Sequence, residues 1–533
     1  MPAARREGGG ARHLAGTGAL LRLALRRDRV MLPIWVLVTG GMVASGAGSI
    51  DTLYDTPAKR AQVAVTLGAN SSLRSLYGPV FGDSTGGLVA WRFGVFAAVL
   101  AAVMSLIIVV RHTREEEETG RQELLSSAMV GRRAPLTAAL LAALVANTGV
   151  TVIITAGLAG LGGSGALALG LAVGATGMVF ATMAAIVAQL TESARLAKGL
   201  TSAVLGFAFV LRAAGDAGTP DGDSVLTWLS PVGWAENVRP YAGDRWWVLA
   251  LTAAAIAVQA VLAYELTSRR DVGMSFLPAR PGPAAGRLAT AGGLAWRLQR
   301  GGVLGWTLGF LVAGIVFGGM VEGAADLVGD NEQAREIFER MGGQQAITDA
   351  FLAAMIGMFG MIASLYTVGS VLRLHGEETS QRAEPVLANA VGRLRWAAGH
   401  LVIAFAGAAL IMFAAGLGLF LTYGKDLGPI LGAAAVQLPA VWLLGGLAVL
   451  LHGAFPKAAV AAWAYAGLSL ALGWIGPALN LPQAVLNLSP FGHLPKLPGA
   501  DPAWTPLLLL LALAIALVAA GLAGLRRRDL ITS

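Results

Sequence analysis

Glu116-Glu117-Glu118-Thr119-Gly120-Arg121-Gln122-Glu123, with Val130-Gly131-Arg132 shortly after, is written twice in this chain. The second copy, Glu377-Glu378-Thr379-Ser380-Gln381-Arg382-Ala383-Glu384 with Val391-Gly392-Arg393, stands at a constant offset of 261. Two further landmarks recur in the same order. Leu229-Ser230-Pro231-Val232-Gly233 answers Leu488-Ser489-Pro490-Phe491-Gly492, and Arg269-Arg270-Asp271 answers Arg527-Arg528-Asp529. Three ordered repeats at nearly one offset mark an internal duplication.

What was duplicated follows from the intervening sequence, which is apolar. The 533 residues are 56% hydrophobic and 13% charged, and none is cysteine. A soluble domain carries about 25% charged residues, so this chain cannot cover its surface with polar groups in water. It reads as an all-α integral membrane protein. Apolar runs predict spans near 30–49, 90–110, 136–160, 165–190, 199–214 and 246–265 in the first half. The second half has them near 302–321, 351–371, 396–422, 430–452, 458–477 and 504–525. Runs of this length cross a hydrocarbon core of about 30 Å. Six spans per half, an even number, make twelve transmembrane helices in two parallel six-helix repeats.

Four segments result: a tail with an interfacial elbow helix (1–29), a first permease half (30–275), a Pro-rich basic linker (276–290) and a second half (291–533). In the elbow, Leu14, Leu21 and Leu25 share one helical face and Arg22, Arg26 and Arg29 another, as in a helix lying among lipid headgroups. With the N-terminus in the cytoplasm, acidic residues predominate in the outer loops and Lys and Arg on the inner side, which puts both termini inside. The net charge of +8 is then a matter of topology, and a nucleic-acid partner is disfavoured. Zero cysteines exclude disulfides, thiolate metal sites and cysteine nucleophiles. Gly170 and Gly174, Gly305 and Gly309, and Gly314 and Gly318 stand at i, i+4, where helix backbones can approach closely.

The doubled acidic motif falls between the second and third span of each half. On a continuous helix Glu117 and Arg121, and likewise Glu378 and Arg382, form i, i+4 pairs. A merely solvated face has no need to repeat Glu116, Glu117, Arg121, Glu123 and Arg132 as Glu377, Glu378, Arg382, Glu384 and Arg393, so the motif reads as a docking element. There charges set register and Leu124, Leu125, Val386 and Leu387 supply burial. No G-x-x-x-x-G-K-[ST] stretch is present, so the chain offers no phosphate loop for ATP. Spans drawn at these limits carry no Asp or Glu away from their ends; Glu192, Glu265 and His400 sit at inner ends as interfacial residues. Ser230-Pro231 and Ser489-Pro490 predict N-cap and first-turn proline of short helices. Residues 322–350 are strongly acidic and predict a solvated outer helix.

The doubled E-E-x-[TS]-x-R-x-E followed by V-G-R, the doubled L-S-P-x-G and the twelve-span length resemble the fused two-half permeases of ABC-2 type exporters. Among these, the actinobacterial tetronasin-resistance (polyketide multidrug efflux) type is the nearest pattern. The resemblance implies export of a hydrophobic compound (antibiotic, polyketide or drug) across a bacterial plasma membrane. It also implies two copies of a separately encoded ATP-binding subunit that carry ATP and Mg, this chain holding no cofactor, no metal and no catalytic residue. The segments Glu115 to Arg132 and Glu377 to Arg393 become coupling helices on those subunits. Thr379 for Glu118 and Pro385 for Leu124 depart between the copies. By the same resemblance spans two, five, eight and eleven face a central path, with Phe93, Phe96, Met104, Phe207, Met355, Met358, Phe359, Trp463 and Tyr465 as candidate contacts. The alternative is an ion-coupled secondary drug transporter of 6+6 helices. Against it stand the empty span interiors and a Gly131-Arg132-Arg133 loop without the preceding aspartate of the major-facilitator signature.

Overall fold

The computed structural model describes residues 13–121, 130–271, 273–277, 286, 290–321, 343–474, 482–501 and 503–529. Glu123, Leu124, Leu125, most of the 276–290 linker and most of the acidic 322–350 stretch lie outside these residues. Every regular element described is helical. The chain divides into two compact units, Met1–Pro281 and Gly282–Ser533.

The first unit comprises α1 (Thr17–Arg27), α2 (Met31–Leu53), α3 (Pro57–Ala69), α4 (Ser71–Tyr77), α5 (Thr85–His112), α6 (Arg114–Glu118), α7 (Ala134–Leu158), α8 (Gly163–Leu190), α9 (Ala194–Gly218), α10 (Val225–Leu229), α11 (Pro231–Asn237) and α12 (Trp246–Arg269). Their starts are chemically specified. Ser84 accepts from Gly87 N, Ser193 from Leu196 N, and Thr56, followed by Pro57, from Lys59 N, each satisfying an orphan donor of a first turn. The second unit comprises α13 (Ala291–Gly318), α14 (Gly343–Thr379), α15 (Glu384–Leu387), α16 (Arg393–Tyr423), α17 (Leu427–Val436), α18 (Leu438–Ala454), α19 (Ala461–Trp474), α20 (Gln483–Leu486) and α21 (Trp504–Arg527).

Among the described residues, 11 helices are long and apolar enough to cross a membrane. They match the expected spans except the eleventh, of which the described residues include α19 up to Trp474. The tenth is broken: α17 ends at Val436 and α18 begins at Leu438 with Pro439 in its first turn, because proline cannot donate to the preceding turn. Two expected glycine seams exist. A Cβ on Gly314 would lie 2.4 Å from Ala415 O, and one on Gly174 would lie 2.5 Å from Thr151 Oγ1. Helices that cannot gain from leaving water associate through such close packing. Gly305 and Gly309 meet nothing, so that pair is not a packing seam within its unit.

Each unit has one end where its guanidiniums gather, called the basic end. In the first unit Asp28, just after α1, is buried there, 2.6 Å from His112 Nε2 and 3.4 Å from Arg111 Nη2.

Candidate functional site

The repeated motif forms a clamp at the basic end of each unit. In the first unit α5 stops at His112 and Thr113 leaves the helical region, its hydroxyl donating to Val109 O at 2.6 Å. The chain re-enters a helix as α6, and its four glutamates diverge. Glu115 pairs with Lys198 at 3.0 Å. Glu116 pairs with Arg27 and lies 3.6 Å from Arg121. Glu118 accepts from Ala194 N at the start of α9, at 3.1 Å. Glu117, only 6% exposed, turns inward.

Glu117 receives a fork: Arg270 Nη2 donates to Oε1 at 2.5 Å and Nη1 to Oε2 at 2.8 Å. Arg114 also donates to Oε2. Arg270 Nε donates to Gln189 Oε1 at 2.9 Å, and Arg132 Nη2 to the Arg270 carbonyl at 2.6 Å. The carboxylate after α5, the arginine after α12 and the arginine before α7 thus close one network, buried at Glu117 and Arg270 and open to solvent at Arg132. Parallel N–H···O bonds to a carboxylate are both strong and geometrically selective.

The second unit builds the same core. Arg528 Nη1 and Nη2 donate to Glu378 Oε1 and Oε2, each at 2.6 Å, and Arg393 Nη1 donates to the Arg528 carbonyl at 2.5 Å. Glu378 is 1% exposed, with His452 Nε2 at 3.7 Å. His375 meets the His452 ring edge to face at 5.8 Å. Glu377 pairs with Arg373 at 3.5 Å.

The expected Glu117–Arg121 and Glu378–Arg382 pairs do not form. Gly120 (φ 71°) and Gln381 (φ 59°), one offset apart, both adopt left-handed backbone, which ends the helix and turns the following arginine away. Arg121 is 54% exposed, and Arg382 and Glu384 are exposed as well. Each motif therefore has a buried half that fastens it and an exposed half. Thr379, where the first copy has Glu118, donates to the His375 carbonyl at 2.9 Å; Pro385 sits in the first turn of α15.

The candidate path residues are scattered among environments. Met104 is fully buried and Phe359 is 2% exposed, packed against Phe310 and Phe317 at 5.5 and 5.9 Å. Met358 joins the same cluster as Phe359, which excludes Met355. Phe96 meets Tyr77 at 5.5 Å, and Phe93 fills the surface over Gly46. Tyr465 donates to Leu488 O at 2.8 Å. Phe207 and Trp463 are exposed, at 65% and 43%.

Ser230 caps α11 as expected, accepting from Val232 N and Gly233 N, and its hydroxyl also donates to Ala208 O at 2.7 Å. Ser489 does not cap; a 3-10 turn spans Pro490–His493, but its hydroxyl likewise reaches back, to Ser469 O at 3.2 Å. His400 is buried in its unit: it is 2% exposed, its Nδ1 2.9 Å from Gln299 Nε2.

Sequence reasoning missed one group. Helix α9 runs to Gly218, past the expected limit at 214, so Asp216 is part of the spanning helix; Arg212, Asp216 and Glu236 are buried together. Asp216 lies in the last turn of α9 and Glu236 on the short helix α11, so the group sits at the end of the span. The signal was available, since Arg212 and Asp216 stand at i, i+4.

Residues 288–526 match the family model described as "Multidrug efflux system permease Rv1217c, C-terminal domain". Over 526 residues the chain is 45% identical to "Multidrug efflux system permease protein Rv1217c" of Mycobacterium tuberculosis, covering 96% of this chain and 95% of the relative. A chain with 11 membrane-length helices among its described residues, so similar over 96% of its length to such a protein, belongs to the multidrug efflux system permeases.

Proposed function

We propose that this permease is the membrane part of an ABC-2 type exporter, arranged as two parallel six-helix repeats. Its two coupling segments receive two copies of a separately encoded ATP-binding subunit. That subunit supplies ATP and Mg; the permease moves a hydrophobic compound outward and has both termini in the cytoplasm. The observation carrying this reading is the doubled clamp. Glu117–Arg270–Arg132 and Glu378–Arg528–Arg393 hold two like segments at the basic ends. Each leaves exposed charge beyond a left-handed turn. Glu116, Arg121, Glu123, Arg382 and Glu384 are assigned to face the ATP-binding subunits, while Glu117, Arg132, Glu377, Glu378 and Arg393 hold them in position. Exposed Phe207 and Trp463 remain the path contacts of choice.

Double charge reversal at Arg121→Glu and Arg382→Glu tests it. Loss of co-purification with the ATP-binding subunit and loss of drug resistance, at matched expression, are expected. Reversal across a partly desolvated contact costs several kcal/mol, roughly a hundredfold or more in affinity. A variant that assembles and transports like the parent overturns the docking assignment. The ion-coupled alternative draws on the buried carboxylates Asp216 and Glu236. Drug efflux that survives ATP depletion but stops with a protonophore would establish it instead.

A further inference from the structure

At the end of the first unit opposite the clamp, two carboxyl groups and one guanidinium are withdrawn from solvent together. The side chains of Arg212 and Asp216 are 0% exposed and that of Glu236 6%. Arg212 Nη1 lies 3.3 Å from Asp216 Oδ2 and 3.2 Å from Glu236 Oε2. Its Nη2 donates to the carbonyls of Ser75 and Leu76, at 2.6 and 3.0 Å. Thr227 Oγ1 donates to Asp216 Oδ1 at 2.7 Å. Two oxygens are left over: Glu236 Oε1 and Asp216 Oδ2 are buried without a hydrogen-bond donor. Both carboxyl groups thus converge on one nitrogen, Arg212 Nη1. Glu236 also lines a cavity of about 30 Å³ with Tyr77, Phe81 and Trp91, room for about two water molecules and too small for an organic ligand.

Two buried carboxylates on one guanidinium repel, and a single proton between them removes the repulsion while giving the orphan oxygen a donor. A second guanidinium, Arg74, attracts Asp216 through space without pairing with either carboxylate. Arg74 donates to the carbonyls of Gly68, Ala69, Asp216 and Ala217, and forms no ion pair among the described residues. Of the other elements around Glu236, α4 adds Tyr77. Helix α5 adds Arg92, which lies over the Tyr77 ring at 5.9 Å. Beyond α11, Arg239 stacks on Phe81 at 4.2 Å and pairs with Asp223 at 3.4 Å. Tyr241, beside Asp244, is pushed up to about 12 by burial. Helix α10 and the neighbouring halves of α8 and α12 carry no charge.

We propose that Asp216 and Glu236 form a proton-binding site holding one proton between them, reached from the aromatic-lined cavity and present in the first unit only. At the positions 259 further on, the offset of the Leu-Ser-Pro landmark, the second unit has Ile475 and Pro495. The site joins α9 to α11, so losing the proton sets two carboxylates against each other at that joint. The assignment stands whichever energy source drives efflux. Burial, reinforced by Asp216 and opposed by Arg212, raises the Glu236 carboxyl well above its ordinary range. The folded state then holds a proton that the unfolded state releases. The stabilisation is complete below the ordinary glutamate value and is lost as pH rises toward the folded one.

Thermal unfolding of the full chain in detergent from about pH 5 to about pH 9 brackets the ordinary and raised carboxyl values. The parent's melting temperature is expected to fall as pH rises, and Glu236→Gln, a neutral mimic of the protonated acid, to abolish most of that fall. Infrared spectra of the parent at neutral pH should contain a protonated-carboxyl band that is absent from Glu236→Gln and from Asp216→Asn. A parent spectrum without that band, or a Glu236→Gln variant with the parent's full pH slope, overturns the proposal. Should either variant fail to fold, the parent spectrum and the remaining variant still decide.

Discussion

Among the described residues Glu117 faces two guanidiniums, Arg114 and Arg270, and its counterpart Glu378 faces Arg528, with the imidazole of His452 at 3.7 Å. The position that is Arg114 in the first unit is His375 in the second. Common to both are the fork from the arginine after the last helix and the second arginine on that residue's carbonyl. The third partner, a guanidinium in the first unit and an imidazole in the second, is specific to each unit. What was kept through duplication is thus the part that fixes geometry, while the charge around it was free to change. The first clamp also reaches further: Arg114 donates to the Met274 carbonyl at 3.2 Å, tying the chain beyond α12 to α6.

The largest expected effect separates the clamps by removing the carboxylate charge. Glu117→Gln leaves two buried guanidiniums without an anion and should cost about 3–5 kcal/mol, with Glu378→Gln at the lower end of that range. Unfolding in detergent measures both, and equal losses would erase the distinction. Next, Arg114→Ala should cost about 1–3 kcal/mol, because it strips a charged donor from Glu117 and from a carbonyl. His375→Ala, lacking an equivalent hydrogen bond to the carboxylate, should cost clearly less; a larger loss would show the imidazole pair to be the true third partner. The smallest change copies one unit into the other. Glu118→Thr removes the acceptor of Ala194 N at the start of α9 and should lower stability by about 1 kcal/mol. No change at all would make that contact dispensable in the first unit as it is in the second.

The duplication, the helical class and nearly all span positions were legible in the sequence, because hydropathy and spacing are local signals. Both halves of each clamp were also visible as repeated landmarks, yet nothing in the spacing joined Glu117 to Arg270 or Glu378 to Arg528. Helical periodicity offers i, i+4 neighbours instead, and it failed at Gly120 and Gln381, where left-handed turns interrupt the helix. Gln381 in particular lacks the glycine that advertises such a turn. Asp216 escaped because charge ends an apolar run on paper, whereas α9 continues to Gly218 once Arg212 pairs with it. The path residues were inherited from resemblance, and burial distinguishes Met104 and Phe359, held in packed interiors, from Phe207 and Trp463 at the surface.

Ser230 and Ser489 each place a hydroxyl on a carbonyl of an earlier apolar helix, at Ala208 of α9 and Ser469 of α19. Mechanically, this is a rivet set partway along a rod. An axial slide or roll of α9 cannot leave Ser230 behind without breaking a buried hydrogen bond, so displacement is handed directly to α11 and to the segment around it. Because Ser230 also caps α11, the same atom transmits load to the end of that short helix. The looser 3-10 turn after Ser489 gives the second unit the rivet without the stiff bracket, and the same push there meets a more compliant element.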